Sequence, residues 1–186
     1  MSWLNYPFYT LNNALPKSNL DDLLFKGQGL PKEDASAGAY ANGAPVTRNS
    51  KVAYLNLVEF ANVYDLCNNI IKETNNLIFA LDLDSLEPLQ FTEYSADYSG
   101  EYGWHTDVGY DVNVNRKLSF VLHLSYEGDY DGGNLEFFDG SGTPISIPKT
   151  QGSMVIFPSV MYHRIAPVTR GTGYSLCGWL TGPRFK

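Results

Sequence analysis

The sequence predicts a mainly β chain with helices toward its N-terminus, folded as a double-stranded β-helix, or jelly roll. Three observations point there. Residues 117–125 alternate strictly, with Leu118, Phe120, Leu122 and Leu124 on one face and Ser119, Val121, His123 and Ser125 on the other. Seventeen Gly and ten Pro in 186 residues punctuate the chain into many short runs, as closely spaced turns require. Before the β character begins, Val58, Phe60, Val63, Leu66, Cys67, Ile70, Ile71 and Ile78 recur at helical spacing.

The elements follow in order. Residues 18–24 place a polar cap ahead of leucines and predict a short helix. Residues 27–50 are rich in Gly, Ala, Pro, Asn and Ser and read as one long surface loop, which in a compact domain is usually functional or mobile. The apolar stripe predicts a helix over 58–80. Residues 89–94 alternate as a strand, as do 117–125, and Asp131-Gly132-Gly133 marks a turn before 134–138. Further short strands are expected around 143–148, 153–157, 161–166 and 173–180, each bounded by Gly or Pro. The chain reads as one domain, 1–186, in which a helical and loop part (1–85) packs on a jelly-roll core (86–186).

Composition narrows the function. Thirteen basic against twenty acidic residues give a net charge of −7, which argues against a phosphate-backbone partner such as nucleic acid. No apolar run reaches the length that would span a membrane, and residues 1–5 lack the basic-then-apolar pattern of a secretory leader. The two cysteines, Cys67 and Cys177, cannot build a disulfide framework; they read as small buried apolar groups in a reduced, cytoplasmic protein.

The chemistry starts from three histidines: His105, His123 and His163. His105 closes an aromatic strand, 102–107, and Asp107 follows two residues later. In an extended segment those positions project to the same side, so an imidazole and a carboxylate converge as a chelate needs. His163 lies on a later predicted strand. Two imidazoles and one carboxylate on one face of a metal, with the other positions open, form the facial triad of non-haem Fe(II) oxygenases. Zinc hydrolases can use similar ligands, but no partner carboxylate stands at a recognisable spacing. A cupin would show a His-x-His pair with a nearby Glu, and neither is present.

Five blocks in this order resemble a known family: Tyr102-Gly-Trp-His105-Thr-Asp107, Tyr130-Asp-Gly-Gly133-Asn-Leu, Gly152-Ser-Met-Val-Ile-Phe-Pro158, His163-Arg-Ile-Ala-Pro167-Val-Thr-Arg170-Gly171, and Trp179. Together they look like the prolyl 4-hydroxylase branch of the 2-oxoglutarate/Fe(II)-dependent dioxygenases. The resemblance covers about residues 86–182 and, more loosely, residues 48–55. It implies Fe(II) held by His105, Asp107 and His163 as metal ligands and catalytic residues, with 2-oxoglutarate as cosubstrate and O2 as oxidant; ascorbate is an optional addition. It implies oxidative decarboxylation to succinate and carbon dioxide, coupled to hydroxylation of a side chain, prolyl in a peptide or protein being the first expectation. The alternatives are an oxygenase of a small molecule or free amino acid, and a non-catalytic metal-binding jelly roll.

One departure stands out. The family holds the far carboxylate of 2-oxoglutarate with an Arg or Lys on the last strand, ten residues after the distal His and six before the Trp. Both counts land on Gly173. The resemblance leaves Arg170, in the preceding turn, His123 and Tyr94 as replacements, with Tyr98 the rival of Tyr94. It places Tyr102, Arg116 and Trp179 toward the substrate. Gly132 and Gly133 read as turn residues with no chemical role.

Overall fold

The computed structural model describes residues 8–36, 40–41, 44–109, 113–138, 140 and 142–184. Its N-terminal part holds strand β1 (Tyr9–Leu11), helix α1 (Lys17–Gly29), four two-residue strands β2 (Glu33–Asp34), β3 (Tyr40–Ala41), β4 (Ala44–Pro45) and β5 (Arg48–Asn49), strand β6 (Lys51–Tyr54) and helix α2 (Ala61–Thr74). Helix α2 continues into a π-helical turn, Asn75–Phe79. The strands of the core follow: β7 (Gln90–Ser95), β8 (Glu101–His105), β9 (Arg116–His123), β10 (Asp131–Gly132), β11 (Leu135–Phe137), β12 (Ile145–Ser146), β13 (Met154–Pro158), β14 (His163–Ile165), β15 (Val168–Arg170) and β16 (Thr172–Thr181).

A seven-stranded sheet runs β1-β13-β9-β16-β7-β6-β2 and a five-stranded sheet runs β12-β11-β14-β8-β5, with antiparallel pairing throughout. The two sheets close on each other through Val121, Val155 and Phe157 from the larger and Leu135 and Phe137 from the smaller. The outer face of the larger sheet is covered by the helices. There Leu118, Phe120 and Leu122 of β9, with Leu124 just past its end, meet Leu20 and Leu23 of α1 and Val63, Cys67 and Ile71 of α2. This is a jelly roll with helices on one side. Both faces of β9 are buried, so its more polar face looks into the sandwich, not into water.

The expected elements are present with two differences. The polar-cap helix is longer than 18–24, and Gly27 lies inside it, because a side chain there would collide with the Phe91 ring. The 27–50 stretch is therefore not one loop: it ends a helix and then contributes short strands to both sheets, apart from 37–39 and 42–43, which lie outside the described residues. Strands β1 and β6, in the mixed N-terminal region, were not anticipated. They add edges to the larger sheet through pairing with β13 and β7, a tertiary effect that their few residues do not announce.

Candidate metal centre

Strands β8 and β14 are neighbours, and His163 pairs directly with His105 in their register. The two imidazoles therefore lie side by side, with ring centroids 4.2 Å apart. Asp107 sits just past the end of β8. Its backbone N–H donates to the Ser159 carbonyl at 3.0 Å, which ties this turn to the segment after β13. One donor atom from each of His105, Asp107 and His163 lies within 4.8 Å of the others.

Each ligand candidate is held from behind. His105 Nδ1 lies 2.8 Å from the Gly103 carbonyl and His163 Nδ1 lies 2.9 Å from the Met161 carbonyl. Donation to those carbonyls leaves the Nε2 lone pairs facing Asp107, at 3.6 and 3.7 Å. The Tyr102 ring stacks on His105 at 3.6 Å between centroids, and Phe157 packs its edge against His163 at 4.8 Å. Ser119 Oγ donates to Asp107 Oδ2 at 2.6 Å. Burial pushes the His163 imidazole down to about 4, so it is neutral at neutral pH. Burial opposes ionisation of Asp107, but His163, His105 and the Ser119 hydrogen bond outweigh it and hold the carboxyl below the usual range. Two imidazole nitrogens and one carboxylate are the donor set that a divalent transition metal takes.

The three groups open into a cavity of about 730 Å³, lined also by Arg48, Tyr94, Tyr102, Arg116, Cys177 and Trp179. The structure thus brings Tyr102, Arg116 and Trp179 to the same space as the ligand candidates. Arg116 is fixed there: its guanidinium lies 3.9 Å over the Trp179 ring, while Nε donates to Glu87 at 2.9 Å. Tyr94 faces the cavity. Tyr98 does not line it, and its hydroxyl donates instead to the Glu93 carbonyl at 3.0 Å.

Arg170 is not brought to the cavity. Its side chain is 57% exposed and forks onto Asp131 at 2.7 and 3.2 Å, across the β10–β15 pair. That acidic partner, 39 residues away, holds the guanidinium on the surface. As an anchor inside the barrel, Arg170 is corrected by its position. His123 is at the opposite extreme: it is 3% exposed, faces inward from β9, and its Nε2 has no hydrogen-bond partner among the described residues. Gly173 pairs with Tyr94 across β16 and β7, and the space where its side chain would begin is taken by the Tyr130 ring. Gly132 and Gly133 adopt left-handed backbone, φ 73° and 65°, as their turn requires.

Sequence reasoning missed four residues here. Arg48 lies in the loosely similar segment and stacks 4.5 Å from the Tyr102 ring centroid. Ser119 was legible as a neighbour of His123 on the same face of β9, though not as the support of Asp107. Cys177 is a free thiol on the cavity wall, in contact with Thr92 and Ser175, not inert core like Cys67. Lys149 gave no signal; it sits 3.7 Å from the centroid of the Tyr130 ring.

Comparison with known proteins agrees with this geometry. A family model described as the 2OG-Fe(II) oxygenase superfamily matches residues 89–181, a span that includes all three ligand candidates. A PKHD-type hydroxylase of Hyphomonas neptunium is 41% identical over 100 residues, covering 50% of this chain and 44% of that protein. A PKHD-type hydroxylase of Janthinobacterium is 33% identical over 159 residues, covering 79% of this chain and 66% of that protein. The chain thus spans less than two thirds of the length of these relatives. Among solved structures, a prolyl-4-hydroxylase of Pseudomonas putida matches with a TM-score of 0.77 at 19% identity, over 97% of this chain and 95% of that one. A Trichoplax adhaerens prolyl hydroxylase, in complex with a hypoxia inducible factor peptide fragment, also has a TM-score of 0.77, at 18% identity over 96% of this chain and 86% of that one. At such identities the structures speak for the fold, and they agree on the jelly roll. The family match extends over half of the chain and runs through the paired histidines and the aspartate between them, so this chain belongs to the 2OG-Fe(II) oxygenase superfamily.

Proposed function

We propose that this chain is an Fe(II)- and 2-oxoglutarate-dependent dioxygenase that hydroxylates a side chain, prolyl in a peptide or protein. The observation that carries the reading is the convergence of two imidazoles and one carboxylate at the floor of a cavity. That donor set fits ferrous iron and leaves the cavity side open. His105, Asp107 and His163 would hold the metal. Bound there with 2-oxoglutarate and O2, iron supplies oxidative decarboxylation coupled to hydroxylation of a C–H bond.

The chain's own residues do the positioning. The Gly103 and Met161 carbonyls fix the imidazole tautomers, and Ser119 orients the Asp107 carboxylate. Tyr102 holds the plane of His105 by stacking. At the rim, Trp104 stacks on Tyr162 at 5.4 Å and meets Phe138 at 5.9 Å, an apolar aromatic surface of the kind that receives a proline ring. Arg116, held by both carboxylate oxygens of Glu87 and stacked over Trp179, lines the side of the cavity where the substrate would enter. The prolyl hydroxylases among the solved neighbours, one of them bound to a peptide fragment, support a peptide or protein substrate.

The same reading treats 1–186 as one domain with 1–85 buttressing 86–186, which the packing of both helices on the larger sheet supports. Two free cysteines and a ferrous cofactor favour the cytoplasm, and no described helix is long and apolar enough to cross a membrane. The test is turnover with Fe(II), 2-oxoglutarate and a proline-rich peptide, with and without ascorbate. The expected result is succinate together with a peptide one oxygen heavier. Succinate with an unchanged peptide redirects the substrate to a small molecule or free amino acid. Metal binding without succinate leaves a non-catalytic jelly roll.

A further inference from the structure

The cavity over the candidate metal centre holds two guanidiniums, and the fold treats them differently. Arg116 is neutralised, because both oxygens of the Glu87 carboxylate accept from it. Arg164 and Arg170 likewise rest on carboxylates, Glu136 and Asp131. Arg48 lines the same cavity without such a partner. Its Nε donates to Ser50 Oγ at 3.1 Å and a terminal nitrogen donates to the Ser36 carbonyl at 3.3 Å, both neutral acceptors. Among the described residues it is paired with no carboxylate. The two bonds use two of the five N–H groups that a guanidinium carries. A half-buried charge left uncompensated is costly until a group of opposite sign meets it.

The position of Arg48 is fixed, and it lies toward the mouth. Arg48 pairs with Tyr102 across β5 and β8, and its guanidinium lies 4.5 Å from the Tyr102 ring centroid. The same ring stacks on His105 at 3.6 Å, so one phenol touches both the ligand imidazole and the guanidinium. Strand β5 is the edge of the five-stranded sheet. Ser36 and Tyr54 line the cavity with Arg48, and both are exposed. Trp104 follows Tyr102 by two residues on β8 and lines the cavity beside Tyr162. That offset is about 7 Å along a strand, the span of one or two residues of a bound extended peptide. The Arg48 charge also reaches inward. Burial pushes the Tyr94 and Tyr102 hydroxyls and the Cys177 thiol up, and Arg48 pulls all three the other way.

Resting on the reading above, we propose that Arg48 receives a carboxylate of the substrate, carried by an Asp or Glu within two residues of the hydroxylated position in a peptide. A guanidinium and a carboxylate match in two parallel hydrogen bonds, which an ammonium group cannot reproduce. The net charge of −7 gives acidic peptides no general attraction to this protein, so their recognition depends on this local charge. Arg48 is then a specificity-determining residue, and the aromatic shelf of Trp104 and Tyr162 holds the proline ring while Arg48 reads its neighbour. The α-carboxylate of a free amino acid offers the same chemistry, and the test separates the two sources.

Binding, rather than turnover, tests this. Protein loaded with Mn(II), a stand-in for iron that does not turn over, and with 2-oxoglutarate is equilibrated with a pool of end-capped pentapeptides. Each has a central proline and varied flanks, and the retained peptides are read by mass spectrometry. Within pairs that differ only as Asp against Asn or Glu against Gln, the parent should retain the acid about tenfold better, as a charge-assisted contact allows. Arg48→Gln should erase that ratio at unchanged manganese occupancy, and Arg48→Lys should keep part of it. Arg48→Glu should reverse it in favour of Lys-bearing peptides, which a merely structural role would not do. Arg170→Gln should leave it as in the parent. Free L-proline against L-prolinamide is the second arm. A preference for L-proline that Arg48→Gln erases, with no acidic preference in the pool, overturns the peptide assignment and moves the carboxylate to a free amino acid. Equal retention of acid and amide in both arms, or a ratio that survives Arg48→Gln, overturns the whole proposal. If peptides are retained without regard to charge, the proposal falls alone. If neither peptides nor proline are retained, the proposed function falls with it.

Discussion

At the candidate metal centre, the three converging side chains are braced by the protein: carbonyls behind both imidazoles, a hydroxyl on the carboxylate, rings against the rings. At the far end of the barrel lies an equally buried imidazole, His123, and the nearest charge, Lys149, lies behind the Tyr130 ring. The contrast is one of preparation. A centre that must impose geometry on an ion is prearranged by hydrogen bonds. The far end has no such bracing, and one of its buried nitrogens has no partner among the described residues.

The largest effects should break the prearranged end. His163→Ala or Asp107→Ala removes one of three ligands, and metal affinity should fall beyond detection in a metal analysis of the purified variant while far-UV circular dichroism is unchanged. The next effect separates folded from unfolded protonation. A His buried neutral has its pKa lowered from 6.5 to about 4, so between those values the unfolded chain binds the proton first. Stability should therefore fall as pH drops from about 6.5 to 4. His123→Gln should flatten that slope by on the order of 3 kcal/mol, read from urea midpoints on metal-free protein. His163 is lowered in the same window and should supply the slope that remains.

Smaller changes sharpen the comparison. Ser119→Ala leaves all three ligands but frees the Asp107 carboxylate, so metal affinity should weaken by about 10–100-fold, measured by competition with a chelator. Gly173→Arg, which would return a cation to the strand, must first displace the buried Tyr130 ring. It should cost about 1–3 kcal/mol of stability in thermal unfolding, as overpacking does. An unchanged midpoint would mean that Tyr130 yields easily and that the far end is softer than the metal end.

What the sequence made legible follows from range. The alternation of 117–125 and the apolar stripe of α2 are local patterns, and both became the expected elements. The convergence of the ligand candidates was readable because their residue types are rare here and their spacing is distinctive: three histidines in the chain, two of them paired in register. Arg170 was misplaced because its partner, Asp131, lies on another strand, and no local pattern reports a surface ion pair that pulls a guanidinium outward. Lys149 was missed for the same reason: it meets Tyr130 only through the fold. A glycine at 173 announces the absence of a side chain without naming the Tyr130 ring that fills the gap. His123 was singled out, but the polar face of β9 gave no sign that it would be so deeply buried.

The meeting of Tyr130 and Gly173 also constrains how this barrel can change over time. A ring at one position and a β-carbon at the other exclude each other, so neither can be altered alone without a clash or a void. A lineage or an engineer moving between a strand-borne cation and the arrangement found here must cross that step with two linked substitutions. Thermal unfolding of Tyr130→Ala, Gly173→Arg and the double variant would measure the linkage as a coupling energy.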